Sequence, residues 1–193
     1  AILEKLEGCD VLAIGPGLGR NEDTARLVRE ILKRTEKPVV LDADGINALE
    51  GHIDTLDTRR DRVTILTPHD GEFARLSGCS LPIRDRRESA RRFAQAHRCT
   101  LVLKGRRTIS ARPDGTCVVN STGNPGMAKG GSGDALAGLM AALLARRGKP
   151  DEAITAVYLH GRAGDLAAED KGEYGMTPSD LIEQIPYAIK ELI

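Results

Sequence analysis

The stretch VLAIGPGLGRNEDTARLVREILKR, residues 11–34, decides the fold class. It opens on a short apolar run, residues 11–14, with the character of a buried strand. A glycine-rich turn follows, Gly15-Pro16-Gly17-Leu18-Gly19. Residues 21–34 then carry Ala25, Val28, Ile31 and Leu32 at helical spacing, with charges on the opposite side. This is one strand–helix unit, and the pattern recurs downstream. Residues 39–41, 63–66 and 100–103 predict three more strands. Residues 108–111 and 116–119 flank Pro113-Asp114-Gly115, a turn signature, and predict a hairpin. Three helices are expected near residues 134–147, 151–168 and 178–192. Residues 1–10 read as a mixed, charged, helix-like segment. Strand–helix alternation predicts an α/β fold, with a mostly parallel sheet covered on both faces. No repeat, low-complexity tract or linker divides residues 1–193, so one domain is expected.

Bulk composition excludes several classes. Lys+Arg and Asp+Glu balance at 28 each, so no global field attracts nucleic acid or an anionic membrane. There is no Trp, and only 2 Phe and 3 Tyr, so the core must be aliphatic and base-stacking platforms are not expected. Cys9, Cys79, Cys99 and Cys117 are widely spaced with no CxxC pair. That suggests neither a zinc site nor a disulfide framework, and predicts reduced thiols in a cytoplasmic protein. No apolar run approaches the roughly 18 residues of a membrane span, and no signal peptide opens the chain. The run Arg84, Arg86, Arg87, Arg91, Arg92, interleaved with Asp85 and Glu88, reads as a solvated helix face.

Unusual residues fall after each predicted strand. GPGLG follows the first, DADGIN (42–47) the second, TPHDGE (67–72) the third and KGRRT (104–108) the fourth. Ligands of open parallel sheets bind beyond the carboxyl ends of the strands, so these segments predict a site on one rim. A fifth segment, NSTGNPGMAKGGSGDAL (120–136), follows the hairpin and opens an apolar helix. Its Gly130, Gly131 and Gly133 let backbone N–H groups approach an anion, aided by the helix dipole. It is neither a Walker A loop nor a dinucleotide fingerprint. Asp134 has two open readings: a cap for its own helix, or a base for a substrate hydroxyl. Asp42 and Asp44 alternate at a strand end. One suits a metal-bound phosphate and the other a cap. His69 and Glu72 are three apart at a helix start, and a carboxylate there can hold Mg²⁺. Lys104 suits a phosphate contact, and Thr108 adds a hydroxyl. His52, His97 and His160 have no partner motif and read as surface or helix residues, although Tyr158 and His160 can line a pocket from the following helix.

Taken in order, GPGLG, LDADGIN, TPHDGEF, LKGRRT and NSTGNPGMAKGGSGDALAG resemble the ADP/ATP-dependent NAD(P)H-hydrate dehydratases of the ribokinase-like superfamily. The resemblance runs from about Gly8 to the C-terminus. It implies a three-layer α/β/α ribokinase-like domain and a repair reaction. The hydroxyl of NADHX or NADPHX attacks the terminal phosphoryl of ADP or ATP, and phosphate then leaves to restore the reduced nicotinamide. By this resemblance Asp134 is the catalytic base and contacts the hydrate. Gly130, Gly131 and Gly133 form the anion hole. Lys104, Gly105, Arg106, Arg107 and Thr108, with Gly133, bind the adenine nucleotide. Gly17, Gly19 and His69 hold the hydrated dinucleotide, and Glu72 organises Mg²⁺. Two positions depart from the family pattern: Asp70 where a second Pro is usual, and Lys129 where Thr or a small residue is usual. The family's domain begins about 70–90 residues earlier, so the expectation is a domain truncated at its N-terminus. A missing N-terminal segment or another chain would complete it in a homo-oligomer. The epimerase domain often fused to the family lies outside what these residues cover. Two other readings stand beside this one: a ribokinase-like kinase of a hydroxymethylpyrimidine or thiazole alcohol, and a non-catalytic nucleotide-binding subunit.

Overall fold

The computed structural model describes residues 2–192. Ala1, at the head of the predicted opening segment, lies outside them. A short helix α1 (Ile2–Glu7) precedes strand β1 (Leu12–Ile14). Helix α2 (Glu22–Arg34) is capped by Asn21, whose side chain accepts from the Asp23 N–H. Strand β2 (Val39–Leu41), a short helix α3 (Ala43–Asn47) and strand β3 (Thr64–Leu66) follow. Then come helices α4 (Asp70–Ser77) and α5 (Arg86–His97), and strand β4 (Thr100–Leu103). The hairpin is β5 (Ile109–Ala111) and β6 (Cys117–Val119), and helices α6 (Ser132–Arg147), α7 (Glu152–Gly175) and α8 (Pro178–Lys190) complete the fold.

The six strands lie in sequence order, β1 to β4 parallel and β4-β5-β6 antiparallel. Right-handed crossovers that all step the same way leave their helices on one face. The core shows this by alternation along each strand. Val39 and Leu41, Leu66, and Leu101 and Leu103 pack with α2, α4 and α5. Val40, Ile65 and Val102 point the other way, onto Leu136, Met140 and Leu144 of α6 and Ala153 and Ala156 of α7. Helix α8 packs Leu181 and Ala188 against Leu159 and Ala163 of α7. The result is the expected three-layer arrangement, aliphatic throughout except for Phe73 and Phe93, which meet edge to face at 5.4 Å.

Helix α7 runs beyond the expected end at residue 168, to Gly175, with a break at Gly172 (φ 72°). Glu169 and Lys171 in the added turn pair with Arg162 and with Asp180 of α8. Among the described residues no helix is long and apolar enough to cross a membrane.

Candidate active site

The carboxyl ends of β1 to β4 and the start of α6 meet at one place. Gly15 (φ 140°) leaves β1 so close to the next strand that a Cβ there would lie 1.7 Å from the Asp42 carbonyl. Gly45 faces it in return, where a Cβ would lie 2.6 Å from the Ile14 carbonyl. Two glycines are therefore required for GPGLG to lie on DADGIN. Gly17 (φ 72°) and Gly19 (φ 77°) have open space where a Cβ would stand, so packing does not explain them. The Gly19 N–H donates to Asp44 Oδ2 at 2.8 Å, which pins the far end of the loop.

Asp42 is 2% exposed and caps nothing. Its Oδ1 accepts from the Thr67 hydroxyl at 2.8 Å and from Lys104 Nζ at 2.6 Å. Lys104 stands in register with His69 across a parallel bridge, its N–H bound to the Pro68 carbonyl at 2.8 Å. Both Lys104 Nζ and Asp42 Oδ2 lie against Gly133, 3.4 and 3.7 Å from where a Cβ would be. Three strand ends and the first turn of α6 thus converge on one ion pair.

His69 caps α4. Its Nδ1 accepts from the Gly71 and Glu72 N–H groups at 3.0 and 3.3 Å, while Glu72 Oε2 accepts from the His69 N–H at 2.9 Å. Because Nδ1 accepts, the neutral ring carries its proton on Nε2. His69 therefore presents a donor on a side chain that is 55% exposed. Gly71 leaves room for the ring, since a Cβ there would sit 3.0 Å from it. Glu72 is buried, and its remaining oxygen, Oε1, stands 3.5 Å from His69 Nε2.

Helix α6 starts from Gly131 (φ 93°) with no side-chain cap. Ser132 N–H is bound to the Lys129 carbonyl, but among the described residues no acceptor meets the N–H of Gly130, Gly131, Gly133 or Asp134. Asp134 is exposed and makes no hydrogen bond or ion pair among the described residues. Of its two readings, the cap is excluded. The carboxylate stands free beside unfilled donors at a helix N-terminus.

The start of α6 is braced from below. His160 of α7 is 8% exposed and donates through Nε2 to the Ser132 carbonyl at 2.9 Å. Burial pulls its pKa down to about 4, so the ring is neutral. The Asn124 amide and the Gly123 N–H bind Asp165 at 3.0 and 2.9 Å, fastening the GNPG segment to α7. Lys129 turns away from the cradle. Its ammonium donates to the carbonyls of Glu173 (3.2 Å), Tyr174 (3.0 Å) and Met176 at the end of α7. It caps a helix C-terminus.

At the fourth strand, the Thr108 hydroxyl donates to the Gly105 carbonyl at 3.0 Å and closes the turn 105–108 on itself. Arg106 and Arg107 are exposed. The arginine run of α5 is solvated only in part. Arg91 and Arg92 pair with Glu88, but Arg86 reaches across to Asp70 and the 103–106 carbonyls. Asp42, Thr67, Arg86 and His160 are the site-forming residues that sequence reading left without a fixed role. Each acts through a partner 16 to 62 positions away, for which periodicity gives no signal.

Among the described residues no group of three or more His, Cys, Asp or Glu is arranged to hold a metal. A nucleotide-bound Mg²⁺ does not require such a group, since one or two carboxylates and phosphate oxygens hold it. Glu72 Oε1, 3.5 Å from His69 Nε2, and Asp42 Oδ2 are the oxygens of these two buried carboxylates that accept no hydrogen bond among the described residues.

The family model described as NAD(P)H-hydrate dehydratase matches residues 1–187. The bifunctional NAD(P)H-hydrate repair enzyme of Moorella thermoacetica is 46% identical over 194 residues, covering 99% of this chain and 36% of that protein. The chain thus spans little more than a third of the curated relatives it matches. The ADP/ATP-dependent NAD(P)H-hydrate dehydratase of Bacillus subtilis, co-crystallised with ATP and Mg²⁺, superposes with a TM-score of 0.83 at 35% identity, over 95% of this chain and 65% of that one. The ribokinase of Arabidopsis thaliana, 17% identical with a TM-score of 0.62 over 95% of this chain and 58% of its own, shares the fold alone. The chain is a ribokinase-like domain and belongs to the NAD(P)H-hydrate dehydratase family.

Proposed function

We propose that this chain dehydrates the hydrated nicotinamide dinucleotides NADHX and NADPHX at the expense of ADP or ATP, and that the rim described above is its active site. The uncapped Asp134 carboxylate, beside open N–H groups and the Lys104 ammonium, carries the reading. A base for the ring hydroxyl, an oxyanion cradle and a fixed cation are what phosphoryl transfer to a hydroxyl requires.

In this reading the nucleotide lies along Lys104, Gly105, Arg106, Arg107 and Thr108, with its terminal phosphoryl on the N–H groups of Gly130, Gly131 and Gly133. The hydrated ring lies against Gly17 and Gly19, where no Cβ obstructs, and His69 offers it the Nε2 proton. Asp134 takes the proton of the ring hydroxyl as its oxygen bonds to phosphorus and AMP departs from ADP. The phosphate then leaves with the C–O bonding pair, a ring proton is lost and the double bond returns. Mg²⁺, held by Glu72 with phosphate oxygens, would neutralise phosphate charge. We place the protein in the cytoplasm as a homo-oligomer.

The test is recovery of reduced-nicotinamide absorbance from NADHX with ADP and Mg²⁺. Recovery that depends on ADP supports the reading. Phosphorylation of a hydroxymethylpyrimidine or thiazole alcohol without such recovery would sink it, as would nucleotide binding with no turnover.

A further inference from the structure

We propose that Arg86 is a positioning residue that ties the nucleotide turn to the substrate arm, so that the two halves of the site hold one geometry. The proposal rests on the reading of residues 104–108 as the nucleotide turn. Arg86 is the first residue of α5, outside every segment that carries the family resemblance. Its Nε donates to Asp70 Oδ1 at 2.9 Å. Its Nη2 donates to the carbonyls of Lys104 at 2.8 Å and Leu103 at 3.2 Å, and its Nη1 to that of Arg106 at 3.4 Å. Asp70 directly follows His69 and opens α4, so one guanidinium spans both arms.

Two features mark this as a built contact. The fork satisfies carbonyls whose turn bends too sharply to continue β4, a task suited to a planar group with several fixed donors. Gly105 (φ 149°) also carries no side chain where a Cβ would lie 2.8 Å from Arg86 Nη2. The glycine thus leaves room for the guanidinium where it stands. Asp70, the departure from the usual proline, supplies the charge that holds Arg86 in place. The pair is only partly buried, its side chains 22% and 44% exposed. It should therefore contribute little to global stability and much to the placing of Lys104 and of the N–H groups that follow.

ADP binding with Mg²⁺, measured by calorimetry on the whole chain, separates positioning from stability. Arg86→Gln should raise the ADP Kd by about 10- to 100-fold, since misplacing a site by about 1 Å has effects of that order. Arg86→Lys should recover little, because one ammonium cannot reproduce the fork. Asp70→Asn is the decisive variant. It lies on the substrate arm, yet it should also weaken ADP binding, with thermal midpoints close to that of the unaltered protein. Arg91→Gln, on the same helix but paired with Glu88, should leave the Kd unchanged. Folded Arg86→Gln or Asp70→Asn protein that binds ADP as the unaltered chain does would overturn the proposal alone. No ADP binding by the unaltered chain would overturn the nucleotide reading of the turn and this proposal with it. If Arg86→Gln fails to fold, Asp70→Asn and Arg86→Lys decide.

Discussion

Gly15→Ala should cripple the fold while Gly17→Ala and Gly19→Ala leave it standing, although all three glycines share one five-residue loop. The new methyl at residue 15 would lie 1.7 Å from the Asp42 carbonyl oxygen and 2.9 Å from the Gly45 nitrogen. Both are backbone atoms, which no rotamer change can move. Relief requires β1 and β2 to part by more than an ångström at their carboxyl ends. Overpacking of this kind costs about 1–3 kcal/mol, and forcing alanine to the φ of 140° seen here adds about 1–3 kcal/mol. The sum is about 4 kcal/mol, a large share of the roughly 5–15 kcal/mol that stabilises a domain. For a chain of this size it should lower the thermal midpoint by about 10 °C. The displaced backbone belongs to Asp42, so the pair with Lys104 and the seat of Gly133 should be lost as well. At Gly17 and Gly19 a Cβ meets nothing, and only the positive φ opposes alanine, at about 1 kcal/mol. Their midpoints should fall by about 2–4 °C, and the damage should appear in the KM for the hydrated dinucleotide. Far-UV circular dichroism melts of the three variants give the comparison. A Gly15→Ala midpoint equal to that of Gly19→Ala would refute the packing argument.

Lys129→Met removes three hydrogen bonds from the end of α7. It should cost about 2 kcal/mol and lower the thermal midpoint by about 4–8 °C, with the KM for ADP little changed. Lys104→Gln strands the buried Asp42 carboxylate and should destabilise by about 3 kcal/mol. Adding Asp42→Asn should restore most of that stability in urea titrations without restoring ADP binding. His160 is held neutral with its pKa near 4, against 6.5 when exposed. Its contribution is full above pH 6.5 and is lost as pH falls toward 4, up to about 3 kcal/mol. The slope of stability with pH across that window should flatten in His160→Gln.

The layered fold was legible because it rests on local patterns. Strand runs such as Val39–Leu41 and the apolar stripe of α2 are written in short-range periodicity. The rim was legible for a related reason, since topology alone sends every strand end of a parallel sheet to the same side. What sequence could not carry was side-chain direction over long separations. Lys129 is only an unusual residue in its segment, and Arg86 only one charge of a solvated face, until the fold brings carbonyls from the end of α7 and the end of β4 within their reach. His160 carries no motif because its partner is a backbone carbonyl, which every residue possesses. Asp134 remained divided between cap and base because both uses favour the same position of the helix. The folded chain removes the cap reading, since the Asp134 carboxylate bonds to no N–H of its own helix, and the base reading is left to experiment.

The central claim is that Asp134 is free because it acts as a base. Its most direct test is turnover of NADHX by Asp134→Asn at saturating ADP and Mg²⁺, beside ADP binding by the same protein. Asparagine keeps the size and the exposed position but cannot accept the hydroxyl proton. The account predicts a kcat lower by about 10²- to 10⁴-fold with an ADP Kd within a few-fold of that of the unaltered chain. Turnover within a few-fold of the unaltered chain would contradict it.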